Sequence, residues 1–297
     1  MALVFKKPDS KPSRVLPGTT HENWTNRKEL ISPGLMIGYR SREIDTPGPN
    51  GTIKKLEVKY PSENARSKLL GAAAAARTIM RKTVWEIDQV VMFRRKEGQA
   101  FTNIMNYHFG LAAGRPGGLP SSNVVDKSFA MKDLGSTDRR WALNKIRQGM
   151  LSISFHLNTG MYLIDIDNQF RDRKSGIVGN TSNANEEGYC TWASMGGLHK
   201  GVLSGWKNGE IHVGFTALEA YAYNAYARVI IHEAAHKYLG VTDKKYAHEV
   251  ADYAALSFSD CIDNADSYAW AALSLEAGHL IIGRDSSDTT AHAGNIA

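Results

Sequence analysis

The sequence predicts an α+β fold, mainly helical, with a small sheet. Apolar residues recur at helical spacing over several long stretches between residues 65 and 281. Two interior segments, MYLIDID at 161–167 and EIHVGF at 210–215, alternate as strands do. The 297 residues are 42% hydrophobic and 22% charged, which supports a folded domain with a proper core and excludes a largely disordered chain.

The elements follow in order. Seven of the nine prolines fall in residues 1–61, with PGTT, ISPG and DTPGPNG among them. Residues 1–63 therefore read as a turn-rich leader, with short strand candidates at 35–39 and 53–60. Residues 65–95 form a long helix, because Leu69, Leu70, Ala73, Ala76, Ile79, Met80, Val84, Ile87 and Val91 share one side. A shorter helix spans 101–109 and stops at Gly110, and 111–135 is a Gly-, Pro- and Ser-bearing loop. Ser136 or Thr137 caps a helix running to Leu157. The two strands bracket a loop over 168–208 that contains Cys190, and helices at 216–239, 244–259 and 264–281 complete a domain of residues 64–283. Residues 284–297 read as a polar tail.

Charge narrows the function classes. The net charge of +6 conceals a balance of +12 over residues 1–200 and −6 over residues 201–297. The basic residues are scattered, with no block of five like charges, so nucleic acid is not the expected partner. No apolar run approaches the ~18 residues of a membrane span, and the segment MALVFKKPDSKP lacks the apolar stretch of a secretory signal. Cys190 and Cys261 allow one bridge or two thiols.

The chemistry lies in the acidic last third. His232-Glu233-Ala234-Ala235-His236 is an H-E-x-x-H motif on a helical pattern. Residues four apart on a helix stand one above the other, so both imidazoles can face one metal ion. Glu233 lies about 100° round the helix, beside the metal rather than on it. Leu218, Ala222, Ala225, Val229, His232, His236 and Leu239 form one stripe, which places both histidines on the buried face. Two buried histidines must each be neutral and satisfied, which is costly unless something binds both.

A catalytic zinc site takes three protein ligands and leaves one position open. Leu239 and Thr242 occupy the positions where an extended motif would carry a third histidine, and Glu249 is close in sequence for a ligand on the next helix. Asp243 fits better: Gly240 ends the helix, Thr242 caps the next one, and Asp243 faces back from the turn. The alternative makes Asp243 an acidic first-turn residue favoured by the helix dipole.

His232-Glu233-x-x-His236, followed by Gly240-Val241-Thr242-Asp243-Lys244-Lys245-Tyr246, resembles the aspzincin metallopeptidases of the deuterolysin and peptidyl-lysine metalloendopeptidase type. Their signature is H-E-x-x-H and then G-T-x-D-x-x-Y-G. Asn264-Ala265-Asp266-Ser267-Tyr268 is similar to a segment that follows it in that family. The resemblance is close over residues 231–272 and looser back to residue 64. It departs in three respects: threonine directly precedes Asp243, Ala247 replaces the final glycine, and the gap from His236 to Asp243 is short.

The resemblance implies a zincin-like catalytic domain in which His232, His236 and Asp243 hold Zn²⁺ and Glu233 is the general base. It implies that Tyr246 donates a hydroxyl to the developing oxyanion, a packed tyrosine being the alternative. It also implies a peptide or protein substrate, with a lysine preference for which Asp266 is the candidate contact. The competing assignment for the acidic residues near 263–266 is helix capping. A zinc amidase acting on cell-wall peptide has the same metal chemistry. A non-catalytic protein with structural zinc would need a fourth ligand such as His248 or Asp252. If Cys190 and Cys261 pair, the protein works in an oxidising compartment. Without a signal peptide, that favours a producer-cytoplasmic protein exported by dedicated machinery, such as a toxin with an inhibitor or immunity protein as partner.

Overall fold

A computed structural model of the chain describes residues 25–60, 63–112, 138–165, 188–189, 211–213 and 223–282. Six strands form one sheet: β1 Thr25–Ser32, β2 Leu35–Pro47, β3 Ile53–Tyr60, β4 Met161–Asp165, β5 Gly188–Tyr189 and β6 Ile211–Val213. Seven α-helices accompany them among the described residues: α1 Glu63–Val91, α2 Gln99–Phe109, α3 Asp138–Thr159, α4 Tyr223–Leu239, α5 Val250–Ala254, α6 Phe258–Ile262 and α7 Ala265–Ala277. The fold is mainly helical α+β, as expected. None of the described helices is long and apolar enough to cross a membrane.

The strands at 35–47 and 53–60 do not belong to a separate leader. Leu35 to Gly38 of β2 pair in parallel with Met161 to Ile164 of β4, and β4 pairs in parallel with β6. Arg40 and Ser41 pair with both β1 and β3, so β3 follows β4 along one edge of β2 while β1 takes the other. Leu35 and Ile37 are buried in the common core. The turn before β2 is wedged against the end of α3. Gly34 has φ +76°, and a Cβ there would meet Asn158 O at 2.8 Å. Its carbonyl accepts from the Arg77 guanidinium at 2.8 Å and from Met161 N at 2.7 Å. β2 and β3 thus share one sheet with β4 and β6, and residues 1–24 lie outside the described residues.

Helix α4 packs against α1, α3 and α7 and beneath β5 and β6. Residues 226–237 are buried all round, where the sequence predicted a single buried stripe. A helix enclosed on every side needs no polar face. Ala72, Ala73 and Ala76 of α1, and Ala227, Ala234 and Ala235 of α4, are among its buried residues, and small side chains permit close helix approach. Of the motif stripe, Leu218 and Ala222 lie outside the described residues.

The expected helix over 244–259 is replaced by a loop and two short helices. Thr242 does not cap a helix, because it bridges in parallel to Asn264: its N–H donates to Asp263 O and its carbonyl accepts from Ala265 N, both at 3.0 Å. The N–H groups of Lys244, Lys245 and Ala247 are held by side chains of the 264–266 segment, and the next helix starts at Val250. Helix α7 ends at Gly278, which adopts φ +74°, earlier than the expected 281. Cys261 is buried, while Cys190, the loops at 113–137 and 190–210 and the tail at 284–297 lie outside the described residues.

Candidate metal centre

The centre begins with the helical period. His232 and His236, one turn apart on α4, bring their Nε2 atoms to 3.1 Å of each other. Gly240 has φ +72° and its N–H donates to His236 O at 3.0 Å, so the helix closes and the chain turns back. The reversal has two results. Val241 presents its carbonyl to His236 Nδ1 at 2.7 Å. Asp243, fixed by the Thr242 bridge, places Oδ1 3.2 Å from His232 Nε2 and 3.1 Å from His236 Nε2.

The partners of the two Nδ1 atoms define what the Nε2 atoms offer. A carbonyl oxygen only accepts, so His236 Nδ1 carries a proton. The same holds for His232, whose Nδ1 donates to Asp266 Oδ1 at 2.7 Å. Each neutral ring then presents an Nε2 lone pair, and both lone pairs meet a carboxylate oxygen. Three electron-rich atoms converge where only a proton or a cation can hold them together.

The donor set suits a metal. Tetrahedral zinc with ligand bonds near 2.0–2.1 Å separates its ligand atoms by about 3.3 Å, close to the 3.1–3.2 Å edges of this triangle. Two imidazoles and one carboxylate, with orienting hydrogen bonds behind both rings, are a zinc-type set. Among the described residues, His232, His236 and Asp243 are the group that could hold an ion. Burial works against charging His232 and His236, yet the carboxylate of Asp243, joined at His232 by Asp266, outweighs it and holds both imidazoles above their usual range. Burial likewise works against an ionised Asp243, and the two imidazoles outweigh it, holding the carboxyl below the carboxylate range.

Glu233 is 1% exposed, and neither carboxylate oxygen has a hydrogen-bond partner among the described residues. Burial raises its carboxyl, the nearby imidazoles oppose the rise, and the outcome is a pKa of about 7. An unpartnered buried carboxyl costs stability and calls for an explanation outside packing. Tyr246 stacks its ring on His232 at 6.3 Å and hydrogen-bonds its hydroxyl to Asp243. Burial, with Asp243 and Asp266 beside it, keeps that hydroxyl protonated well past its usual range.

Asp266 is corrected from its expected place. It is 2% exposed and stands behind His232 rather than in a substrate pocket. One oxygen takes His232 Nδ1 and the other takes Ala247 N at 2.7 Å, so both of these bonds tie protein to protein. Asn264 is no side-chain cap of α7 either. Its Oδ1 accepts from Lys244 N at 2.9 Å and Lys245 N at 3.3 Å, and its Nδ2 donates to Lys245 O at 3.0 Å. The two residues clamp the Asp243–Ala247 loop onto α7. The remaining candidate ligands stay away from the centre. Asp252 pairs with Lys245 at 2.8 Å, His248 stacks on Tyr246 at 5.6 Å, and Glu249 accepts from Tyr246 N at 3.2 Å.

The chain matches no known protein family, curated protein or solved structure.

The roles of Asp266, Asn264 and the Val241 carbonyl escaped sequence reasoning. A signal existed for the first two: an Asn and an Asp two residues apart at the start of an apolar helix that follows the motif. Their targets are backbone N–H groups some twenty residues earlier, which residue identity alone does not reveal.

Proposed function

We propose that the protein is a zinc-dependent endopeptidase with a zincin-like catalytic domain. The observation that carries the reading is the convergence of two Nε2 lone pairs and the Asp243 carboxylate beside a buried carboxyl that has no partner among the described residues. A structural site would be closed by a fourth protein ligand and would need no such neighbour. Of the two candidates for a fourth ligand, Asp252 is engaged with Lys245 and His248 with the Tyr246 ring.

His232, His236 and Asp243 hold the ion in this reading. Zinc in a three-ligand site acts as a Lewis acid and makes hydroxide available near neutral pH. Glu233, buried beside the ligands with no partner among the described residues, accepts the proton released by the attacking water and returns it to the leaving amine. Tyr246, kept protonated, turns its hydroxyl from Asp243 to the oxygen of the scissile carbonyl as charge develops there. Asp266 holds His232 in the tautomer that points its lone pair inward. A lysine preference finds no support in Asp266, which is buried behind His232.

Purified, zinc-loaded protein is expected to cleave peptides from a mixed library, and Glu233→Gln to keep its zinc and lose cleavage. Cleavage by both would remove Glu233 from the mechanism. Cleavage by neither, with zinc bound, would move the reading to a non-peptide amide substrate or a structural metal.

A further inference from the structure

Behind the loop that carries Asp243 runs a chain of hydrogen bonds that the proposed chemistry does not use. Its members, Asn264, Ser267, Tyr253, His108 and Ser274, are fully buried and come from α5, α7, α2 and the bridge before α7. It starts at the ligand loop, where Asn264 Oδ1 takes the N–H groups of Lys244 and Lys245, the two residues after Asp243. The Lys245 carbonyl that Asn264 Nδ2 meets can only accept, which fixes the orientation of the amide. The same Nδ2 donates to Ser267 Oγ at 3.2 Å. Ser267 hydrogen-bonds the Tyr253 hydroxyl, which lies 2.9 Å from His108 Nδ1. His108 Nε2 is 3.1 Å from Ser274 Oγ, which also accepts from Ile281 N at 3.1 Å.

The donor directions are consistent from end to end. With the His108 proton on Nε2, Ser267 accepts from Asn264 and donates to Tyr253, Tyr253 donates to His108 Nδ1, and His108 donates to Ser274. Buried chains of this kind polarise one another, and removing one member leaves its neighbours unsatisfied with no water to replace it. The chain thus connects His108 to Asn264, which grips the backbone beside Asp243.

We propose that His108 is a positioning residue for the metal ligand Asp243, acting through Tyr253, Ser267 and Asn264. The inference rests on the metal-site reading above. It gives α2, which contributes nothing to the centre directly, a part in setting its affinity. Outer-shell substitutions weaken metal binding by about 10–100-fold, and His108, several links away, belongs at the lower end.

Cobalt(II) titration of the full chain, followed by visible absorption, tests this. Wild-type protein is expected to give a tetrahedral cobalt band. His108→Phe is expected to bind cobalt about tenfold more weakly, with a shifted band. His108→Gln offers one acceptor and one donor in similar places, so it restores binding to within about threefold of wild type. Tyr253→Phe keeps the ring, breaks the same link, and adds no further loss when combined with His108→Phe. A purely structural His108 would lower the melting temperature of the metal-free protein and leave the cobalt dissociation constant unchanged, which overturns the proposal. Losses that multiply in the double variant overturn it too. Should His108→Phe fail to fold, Tyr253→Phe and His108→Gln carry the same comparison. Absence of a cobalt band in unmodified protein overturns the metal reading itself, a result distinct from any seen only in the variants.

Discussion

Asp266 holds His232 Nδ1 at 2.7 Å with one oxygen and Ala247 N at 2.7 Å with the other, so a single carboxylate joins the motif helix to the loop that bears Asp243 and Tyr246. Burial alone would push this carboxyl up. The His232 imidazole beside it, with Arg228 and the Ala247 N–H, holds it below its ordinary value. It is therefore a charged, fully engaged group.

Asp266→Ala is expected to weaken zinc binding by about 10–100-fold, because His232 loses its tautomer and the loop loses an anchor. Asp266→Asn, which has one acceptor for two donors, falls between the two. Competition with a chromophoric chelator measures both, and wild-type affinity in Asp266→Ala would show that the link does not serve the metal.

Glu233 makes metal-free stability depend on pH in a defined direction. Its carboxyl is raised from 4.5 to about 7 on folding, so the folded state binds more proton between those values. Folding stability attributable to Glu233 is then full below pH 4.5 and falls as pH rises through about 7. A shift of this size corresponds to about 3 kcal/mol. Glu233→Gln removes that loss. Denaturant unfolding of the metal-free pair should show the variant gaining on wild type from pH 4.5 to 7, and parallel pH profiles would contradict it.

How far the centre was legible depended on the range of the forces that build it. His232, Glu233 and His236 follow from the helical period, and the turn-back to Asp243 follows from a glycine that can adopt φ +72°. Both are local. The segment Lys244-Lys245-Tyr246-Ala247-His248-Glu249 is rich in helix formers, yet it forms a loop pinned by Asn264 and Asp266, whose place some twenty residues on is set by tertiary packing. The family resemblance puts Asp266 at the substrate, whereas its burial depends on how α7 packs on α4. The sheet shows the same divide. MYLIDID and IHV announce themselves by alternation, yet the place of Leu35–Gly38 is set by parallel pairing with Met161–Ile164, far along the chain. Prolines on either side of β2 gave that segment the texture of a leader.

Gly34 tests whether the strands before α1 unfold together with the helices that carry the candidate metal centre. Alanine at φ +76° costs about 1–2 kcal/mol, and its Cβ would lie 2.8 Å from the Asn158 carbonyl, which is backbone at the end of α3 and has little freedom to move. Gly34→Ala is expected to lower unfolding free energy by about 2 kcal/mol or more, in the same cooperative transition that reports α4. A separate early transition, with the rest of the protein unchanged, would restore the leader as an independent unit.

Tyr246 divides catalysis from metal binding. Its hydroxyl contacts a ligand and not the ion position, so Tyr246→Phe removes a donor without removing a ligand, and the ring keeps its stack on His232. Loss of a single oxyanion donor lowers turnover by about 10²–10³-fold, and that is the expected fall in kcat, with zinc affinity within a few-fold of wild type. Burial and the neighbouring carboxylates push the tyrosine well above its ordinary value. Its hydroxyl therefore remains a donor through the alkaline range, and the high-pH limb of the rate profile should be the same in the phenylalanine variant. An equal fall in zinc affinity would make the hydroxyl a support for Asp243, and a high-pH limb that moves with the substitution would make it a titrating acid.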